Sequence, residues 1–421
     1  MSVKSGYKQT ELGEIPEEWD VLTLVDRKVS KEMRAGGTPL RTVNEYYKDG
    51  SIPFVRIEDI TNSKRYLCDT RLKISSLGLK NSAAWLVPRD SVLYSMYASF
   101  GEAVINKVRV ATNQAIIAII PSETCQLDFL YYCLQALKPR LYVFLRETTQ
   151  KNLNAEIVKN LKIVYPSFDE QLRIAAVLST VDDAIQKCDD IITKMLELKK
   201  GLMQQLLMRG IEHTQFKQTE IGEIPEEWDV SSLASIFTII DCKHKTPAYT
   251  DMGYPVVRPG DVDFRHISFD TCKRTSYEEY LDHTSNYTPK RGDIVFSRNA
   301  SYGAAAYVAT DDKFVIGQDV VILTSDTSST LFYYYVLNSH ILAKQLERLS
   351  TGSTFKRIDL QHIRRLKVPF PPLMEQQEIA SILSTIDEKT GTERQEKEAL
   401  KSLKKGLMND LLTGKVRVRV T

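Results

Sequence analysis

Two long stretches of the chain place apolar residues in alternating steps of four and three. Between 169 and 208 these are Ile174, Leu178, Val181, Ile185, Cys188, Ile192, Met195, Leu202 and Leu206. Such a heptad seam is typical of a helix that packs along another helix. With Asp169 as a cap and Gly210 as a stop, the pattern predicts a helix of about 40 residues.

A second, weaker seam covers residues 374–412. It is formed by Ile379, Leu383, Ile386, Leu400, Leu407 and Leu411. Thr390, Glu393, Lys397 and Lys404 interrupt it, and Gly391 lies mid-helix. The 3.5-residue period favours an antiparallel coiled coil between the two helices. The alternative is two surface helices, each packed on its own module.

The chain also repeats itself. KQTELGEIPEEWDV at 8–21 returns as KQTEIGEIPEEWDV at 217–230, and KKGLM at 199–203 returns at 404–408. The order A-B-A′-B′ indicates a duplicated half related by a pseudo-two-fold. The expected domains are therefore globular modules at 1–165 and 214–370, followed by long helices at 166–213 and 371–421.

The stretches between the repeats predict mixed α+β modules. VLYSMY, QAIIAII, DIVFSR and DVVILTS are rich in β-branched residues and predict strands. Residues 126–137 and 329–349 predict helices. The two modules share only a skeleton, such as IPFVRIEDI at 52–60 and YPVVRPGDV at 254–262, so one framework carries different surface residues.

Composition excludes several classes of protein. Lys and Arg total 56 against 54 Asp and Glu, a net charge of +2, so the chain does not bind by charge alone. No apolar run reaches the ~18 residues of a membrane span, and the start lacks a signal-peptide pattern. The six cysteines form no CxxC, which favours reduced thiols and a cytoplasmic location. Cys242 and His244 lack a second pair at zinc spacing, so no metal is expected.

Motifs for catalysis are missing from the sequence. There is no GxGxxG, GxxxxGK[ST], GxSxG or HExxH, and the six histidines are widely spaced. The expectation is a chain that is non-catalytic alone and holds no cofactor. A self-sufficient methyltransferase or nuclease is the rival that the absent cofactor loop argues against.

Loops with Arg, Lys, amide and hydroxyl side chains recur at matched places in both halves. These residue types contact phosphates and base edges in DNA. Each loop alone is equally typical of an ordinary turn, and a buried ion pair explains Arg56 and Arg258 as well as DNA does. The candidate DNA-binding residues are Arg34, Gly37, Thr38, Arg56, Ser95, Tyr97, Ser99, Gln114 and Lys151 in the first half, and Lys243, His244, Lys245, Thr246, Arg258, Arg298, Asn299, Ser301, Tyr302, Gln318, Thr351, Ser353, Thr354 and Lys356 in the second.

These features together resemble the specificity subunit of a type I restriction-modification system. The resemblance rests on the paired GEIPEEW openings, GDIVFSR at 292–298, the passage TGSTFKRIDLQHIRRLKVPFPPLMEQQEIASILSTID at 351–387, and LKKGLMNDLLTGKVRV at 403–418. It covers essentially the whole chain. The first half departs from the pattern, with Arg89-Asp90-Ser91 where the second has Arg291-Gly292-Asp293, and no glycine in ETTQKNLNA at 147–155.

The resemblance implies two target recognition domains that read the halves of a split, asymmetric double-stranded DNA site. It implies long helices that space them and dock modification subunits, which bring S-adenosylmethionine and methylate adenine. Restriction subunits using ATP and Mg would join the complex. The rival of another class is a coiled-coil adaptor whose modules bind protein.

Overall fold

The computed structural model describes residues 5–97, 99–147, 153–263, 267–299, 302–350 and 357–418. The chain divides into two compact units. The first contains Met1–Asp189 and Gln395–Thr421, and the second contains Asp190–Arg394. Each unit therefore includes one part of each long helix.

The first unit is a mixed α/β module. Its strands are β1 (Tyr7–Thr10), β2 (Gly13–Pro16), β3 (Asp20–Thr23), β4 (Ser30–Ala35), β5 (Ile52–Val55), β6 (Tyr66–Leu67), β7 (Leu72–Ile74), β8 (Ser91–Ser95), β9 (Ala103–Asn106), β10 (Ala111–Thr112), β11 (Ile116–Pro121) and β12 (Lys162–Tyr165). Its helices are α1 (Ile57–Asn62), α2 (Ser76–Lys80), α3 (Leu127–Glu147), α4 (Ala155–Lys159) and the first part of α5 (Phe168–Arg209).

The second unit has the same plan. Its strands are β13 (Phe216–Thr219), β14 (Gly222–Pro225), β15 (Asp229–Ser232), β16 (Thr238–Asp241), β17 (Tyr249–Thr250), β18 (Tyr254–Val257), β19 (Lys273–Thr275), β20 (Ile294–Ser297), β21 (Ala305–Tyr307), β22 (Val315–Ile316), β23 (Val320–Thr324) and β24 (Lys367–Phe370). Its helices are α6 (Leu233–Ile236), α7 (Tyr277–His283), α8 (Thr330–Leu337), α9 (His340–Ser350), α10 (Leu360–Arg365) and the first part of α11 (Leu373–Leu411).

The sheet topology shows the duplication. The central sheet has the order β4-β11-β8-β9-β6 in the first unit and β16-β23-β20-β21 in the second. A smaller sheet, β10-β5-β7, matches β22-β18-β19, to which β17 is added. The pairs β1-β2 and β3-β12 match β13-β14 and β15-β24.

The repeated opening sequence folds into the same hairpin in both units. Thr10 Oγ1 donates to the carbonyl of Gly13 at 2.7 Å, and Thr219 Oγ1 donates to that of Gly222 at 2.6 Å. Gly13 and Gly222 have positive φ angles of 108° and 122°, a region that glycine enters without steric cost. The hairpin thus explains why both copies keep a TExG turn.

The two long helices run antiparallel within each unit. In the first unit Lys404 and Lys397 of α11 pair with Asp182 and Asp189 of α5, at 2.6 and 2.5 Å. In the second, Lys199 of α5 pairs with Asp387 of α11 at 2.6 Å. All fifteen predicted apolar seam residues are buried or half-buried. The expected antiparallel helix pairing is confirmed.

Each unit has a main core between its central sheet, the helix that follows that sheet, and the paired long helices. In the first unit Tyr94, Phe129 and Tyr132 pack with Ile174 and Leu178 of α5. In the second, Phe296, Tyr333 and Tyr335 pack with Ile379 and Leu383 of α11. Burial of this apolar surface attaches the helix pair to each module.

One predicted element differs from the structure. The single helix expected at 329–349 is two helices, α8 and α9, which separate at Asn338 and Ser339. The Asn338 side chain bonds both the N–H and the carbonyl of Ala305 in β21. Ser339 Oγ accepts from the N–H of Ile341 at 3.2 Å. These side chains compete with the helical hydrogen bonds and end the first helix.

Among the described residues, no helix is long and apolar enough to cross a membrane.

Candidate nucleic-acid interface

A threonine–glutamine pair occurs at equivalent loops in both units. Thr38 Oγ1, beyond β4, donates to Gln114 Oε1 at 2.6 Å, in the turn between β10 and β11. Gln318 Nε2, between β22 and β23, donates to Thr246 Oγ1 at 3.1 Å. All four side chains are exposed. The structure thus brings together candidates that lie more than 70 residues apart in sequence.

Gly37 has a steric role beside the first pair. A Cβ there would lie 2.6 Å from the Cβ of Ala83, which is too close for any other residue. The Gly37 N–H donates to the carbonyl of Thr112 at 3.0 Å. Gly37 therefore lets the Thr38 loop lie close against the turn that carries Gln114.

The other described candidates of the first unit divide into exposed and structural groups. The Arg34 guanidinium lies 5.3 Å from the ring centroid of Trp85 and is exposed, as is Tyr97. Ser95 is buried, and its hydroxyl donates to the carbonyl of Ser99 and accepts from the N–H of Glu102. The Ser95 hydroxyl closes a turn, while Arg34 and Tyr97 are available to a ligand.

Arg56 and Arg258 precede equivalent helical turns. Their N–H groups donate to Asp59 at 2.8 Å and to Asp261 at 3.0 Å. The Arg258 guanidinium also pairs with the buried Asp261 at 2.9 Å, and this hydrogen bond raises the pKa of Arg258. Arg56 pairs with Glu58 at 3.2 Å. Arg258 thus pairs with a buried acid, as in the alternative that the sequence left open, whereas Arg56 pairs with the exposed Glu58.

The basic loop of the second unit is balanced by acidic residues. Lys243 contacts Asp282 of α7 at 2.6 Å, and Lys245 lies 3.6 Å from both Asp282 and Glu279. The hydrogen bond from Lys243 lowers the pKa of Asp282. His244 lies 3.5 Å from Asp241. A phosphate at this loop would have to exchange with these carboxylates.

Arg298 is buried, with 6% of its side chain exposed. Its Nε donates to the carbonyl of Ile358 at 2.9 Å, and one terminal nitrogen pairs with Asp241 at 3.2 Å. This position argues against the expectation that Arg298 reaches a base edge. Asn299 is exposed, 3.5 Å from Asp319, and Tyr302 is half-buried with its hydroxyl on the carbonyl of Leu346 at 3.4 Å.

Six candidates lie outside the described residues: Lys151, Ser301, Thr351, Ser353, Thr354 and Lys356.

The sequence analysis did not single out Asp241 and Asp319, two acidic residues that lie beside the candidate residues of the second unit. Asp241 and Asp319 hold Arg298, Asn299 and His244, and Asp319 also pairs with Arg357 at 2.7 Å. A signal was present in both cases, because Asp319 directly follows the candidate Gln318 and Asp241 lies two residues before the candidate Lys243.

A group of residues in the second unit has the donor set of a metal site. Glu279, Asp282 and the buried His283 lie close together on α7. Lys243 and Lys245 already neutralise the two carboxylates, so we assign no metal there.

Two mixed-sheet modules of one plan, each carrying part of a pair of long antiparallel helices, define an internally duplicated two-module protein. The family model for the type I restriction modification DNA specificity domain matches the chain twice, at residues 16–194 and 225–402. The chain belongs to this family.

Relatives and solved structures agree. The chain is 31% identical to the putative type I restriction enzyme MjaX specificity subunit of Methanocaldococcus jannaschii. The match covers 99% of this chain and 98% of that protein. The chain is 28% identical to the MjaVIII specificity subunit of the same organism, over 99% and 97%. The fold is similar to the crystal structure of the type I restriction-modification S subunit from M. genitalium, with a TM-score of 0.58 and 14% identity over 100% of this chain and 99% of that one.

Proposed function

We propose that this chain directs a type I restriction-modification complex to a bipartite, asymmetric DNA site, with one recognition region in each unit. One observation carries the proposal: two units with the same backbone plan present unlike side chains at equivalent loops. Tyr97 of the first unit is equivalent to Asn299 of the second, and Arg34 stands where the second unit has Ile240. Unlike readers on one scaffold suit two unlike half-sites, as identical readers suit a palindrome.

The exposed loop pairs supply the chemistry for the contacts. Glutamine amides pair with adenine edges, and hydroxyls pair with bases or phosphates. Lys243, His244, Lys245 and Thr246 form the basic loop that approaches the backbone in the second unit. Gly37 and Thr38, with Gln114, form its counterpart in the first. Arg34, Tyr97 and Asn299 contribute the contacts that differ, and the candidates outside the described residues extend both sets.

The long helices are the proposed docking surface for the modification subunits. Leu198 and Leu403 are 55% and 51% exposed, and they occupy equivalent places in α5 and α11. Val177 and Ile382 form a second exposed equivalent pair. Apolar side chains exposed at matched positions favour two copies of one partner.

The chain is proposed to be non-catalytic by itself and to act with partner subunits in the cytoplasm. The modification subunits supply S-adenosylmethionine for adenine methylation, and the restriction subunits supply ATP-driven, Mg-dependent cleavage. This chain's residues bind and orient DNA, and they fix which adenine the partner meets.

The experiment is co-expression with the modification subunit of the same locus, followed by single-molecule mapping of methylated adenine. A split motif that disappears when this chain is omitted is the expected result. Replacing residues 234–365 by the corresponding segment of a relative should change one half-site and leave the other intact. An assembled, cofactor-binding complex that methylates no motif would contradict the proposal.

The alternative is a coiled-coil adaptor whose modules bind protein. Phosphate contacts release counterions, so binding to DNA weakens steeply as salt rises. Retention on duplex DNA containing the mapped motif, lost between about 50 and 200 mM salt, would exclude the adaptor. A duplex with one scrambled half-site is the matched control.

A further inference from the structure

The two units differ in charge at three positions that share one backbone arrangement. Strand register makes Ala35 equivalent to Asp241, because they pair with Ile117 and Val321 at the same place in the central sheets. Met96 is equivalent to Arg298, and Ala115 to Asp319: in each unit the first N–H donates to the second carbonyl at 2.8 Å. The next contact is also shared, since Leu153 N–H bonds Met96 O and Ile358 N–H bonds Arg298 O.

The comparison shows that the charged side chains at these positions of the second unit are not needed to form the backbone arrangement. The first unit builds the arrangement with apolar side chains alone, so the fold does not require charges there. The second unit places two acids and an arginine at the same positions, and Arg357 joins them. Asp319 has a φ of 62°, in the left-handed region that aspartate adopts more often than most non-glycine residues.

Asp319 lies close to two side chains whose donors are suited to contacting bases, Arg357 and Asn299. Its carboxylate pairs with Arg357 at 2.7 Å and lies 3.5 Å from Asn299 Nδ2. Gln318, its neighbour, bonds Thr246. Arg357 is half exposed, whereas Asp319 is 21% exposed, so the carboxylate is the less accessible member of the pair.

We propose that Arg357 reads a guanine in the half-site bound by the second unit, with Asp319 as the positioning residue that orients its guanidinium. A guanidinium has five N–H donors. One terminal nitrogen contacts Asp319, and the remaining donors suit the N7 and O6 acceptors of guanine in the major groove. Arg298 cannot take this role, because its donors are directed at Ile358 and Asp241.

This inference rests on the proposed function, and its test separates the two. Methylated motifs are mapped for the complex of modification subunit with the wild-type chain and with Arg357→Gln, Arg357→Lys and Asp319→Asn. The segment exchange at 234–365 identifies the second unit's half-site. Arg291→Gln is the matched control, because Arg291 forms an exposed pair with Asp311 at 2.9 Å, compared with 2.7 Å for Arg357 and Asp319, at the opposite end of β20.

The expected result is that both Arg357 variants relax one G·C position of that half-site by about 10- to 100-fold in discrimination, the range for one bidentate contact. Arg357→Lys should retain more binding, because it keeps the charge but lacks the fork. Asp319→Asn should relax the same position less. Arg291→Gln and the other half-site should not change.

Three outcomes would overturn the inference while the proposed function stands. They are an unchanged motif in both Arg357 variants, a uniform loss of methylation with no position relaxed, which indicates a phosphate contact, and a second-unit half-site without a G·C pair. Absence of any split motif from the assembled wild-type complex would instead overturn the proposed function, and this inference with it.

Discussion

At the scale of single residues, backbone conformation separates positions that sequence alone treats alike. Asp90 and Gly292 occupy the same turn before the central strands β8 and β20, and both have positive φ, at 59° and 94°. Asp90 is held by Lys107 at 2.9 Å, whose hydrogen bond lowers the pKa of its carboxyl group. RDS at 89–91 and RGD at 291–293 therefore meet the same backbone requirement, a positive φ at the middle residue, with different residues. This explains the departure from the family pattern in the first unit.

Two glycine substitutions in the second unit should have opposite effects. A Cβ at Gly391 meets nothing within 4 Å in the interior of α11, so Gly391→Ala should stabilise by up to about 1 kcal/mol. A Cβ at Gly292 also meets nothing closer than 4.0 Å, but its φ of 94° strains alanine, so Gly292→Ala should destabilise by about 1 kcal/mol. Urea unfolding of both variants checks this, and shifts of the same sign would contradict it.

At the scale of elements, one polar triad is built twice to join each module to the helix pair. Tyr132 donates to Asp182 at 2.8 Å, and Lys404 contacts both the carboxylate and the tyrosine ring. Tyr335, Asp387 and Lys199 repeat these contacts in the second unit. The triads connect α3 and α8 to the opposing long helices.

These triads also show what sequence could not reveal. The heptad pattern predicted both helices to within one or two residues, and each apolar position that it named is buried or half-buried. Lys199 and Lys404 only interrupted that pattern, because a single sequence does not show the carboxylate on the facing helix. Similarly, the charge of Arg298 suggested DNA, although its donors are used by the buried Asp241 and Ile358 contacts. The four residues of the Thr–Gln pairs were candidates because hydroxyls and amides recurred in matched places, but the sequence did not predict that they bond each other.

Removing the triad lysines should weaken each unit separately. Lys404→Met and Lys199→Met leave Asp182 and Asp387 without their cation, and because these groups are partly exposed we expect a cost of about 1–3 kcal/mol each. Hydrogen exchange should increase in α3 for the first variant and in α8 for the second. Lys405→Met and Lys200→Met, at exposed neighbouring positions, are the controls. Equal protection in variant and control would refute the role of the triads.

The contact between Lys397 and Asp189 should make the helix pair sensitive to acid. The hydrogen bond from Lys397 lowers the pKa of Asp189. A carboxyl group whose pKa is lower in the folded state stabilises the fold fully above its unfolded pKa of about 3.9, and loses that contribution as the pH falls through the folded value.

Lys397→Met should therefore lower the thermal midpoint at pH 7, and its difference from wild type should shrink as the pH falls below about 4. Midpoints measured from pH 7 to pH 3 test this, with the exposed Lys401→Met as control. A difference that stays constant across this range would show that the ion pair is not responsible.

At the scale of the whole molecule, helix length is the property that we expect to set the gap between the half-sites. A heptad adds about 10 Å to a helix, which corresponds to roughly 3 base pairs at about 3.4 Å each. Inserting one heptad in the middle of both α5 and α11 keeps the seam in phase. The mapped gap should lengthen by about 3 base pairs while both half-sites stay the same.

A heptad inserted in α5 alone is the control, because it offsets the paired charges and should abolish methylation. An unchanged gap after both insertions would contradict the role of the helices as a spacer.

Each unit completes its core with the end of a long helix from the other half of the chain, and this has a consequence for recombination of the gene. The core of the first unit includes Leu411 and Leu412 from the far end of the chain, and Leu206 and Leu207 stand in the equivalent place of the second core. Recombination between the two copies of the KQTE opening would delete one module and leave a half-length protein. Such a protein could fill its own core only with the helix end of a second molecule. It should therefore assemble as a homodimer, and if the proposed function holds, a single crossover would replace recognition of two unlike half-sites by recognition of an inverted repeat.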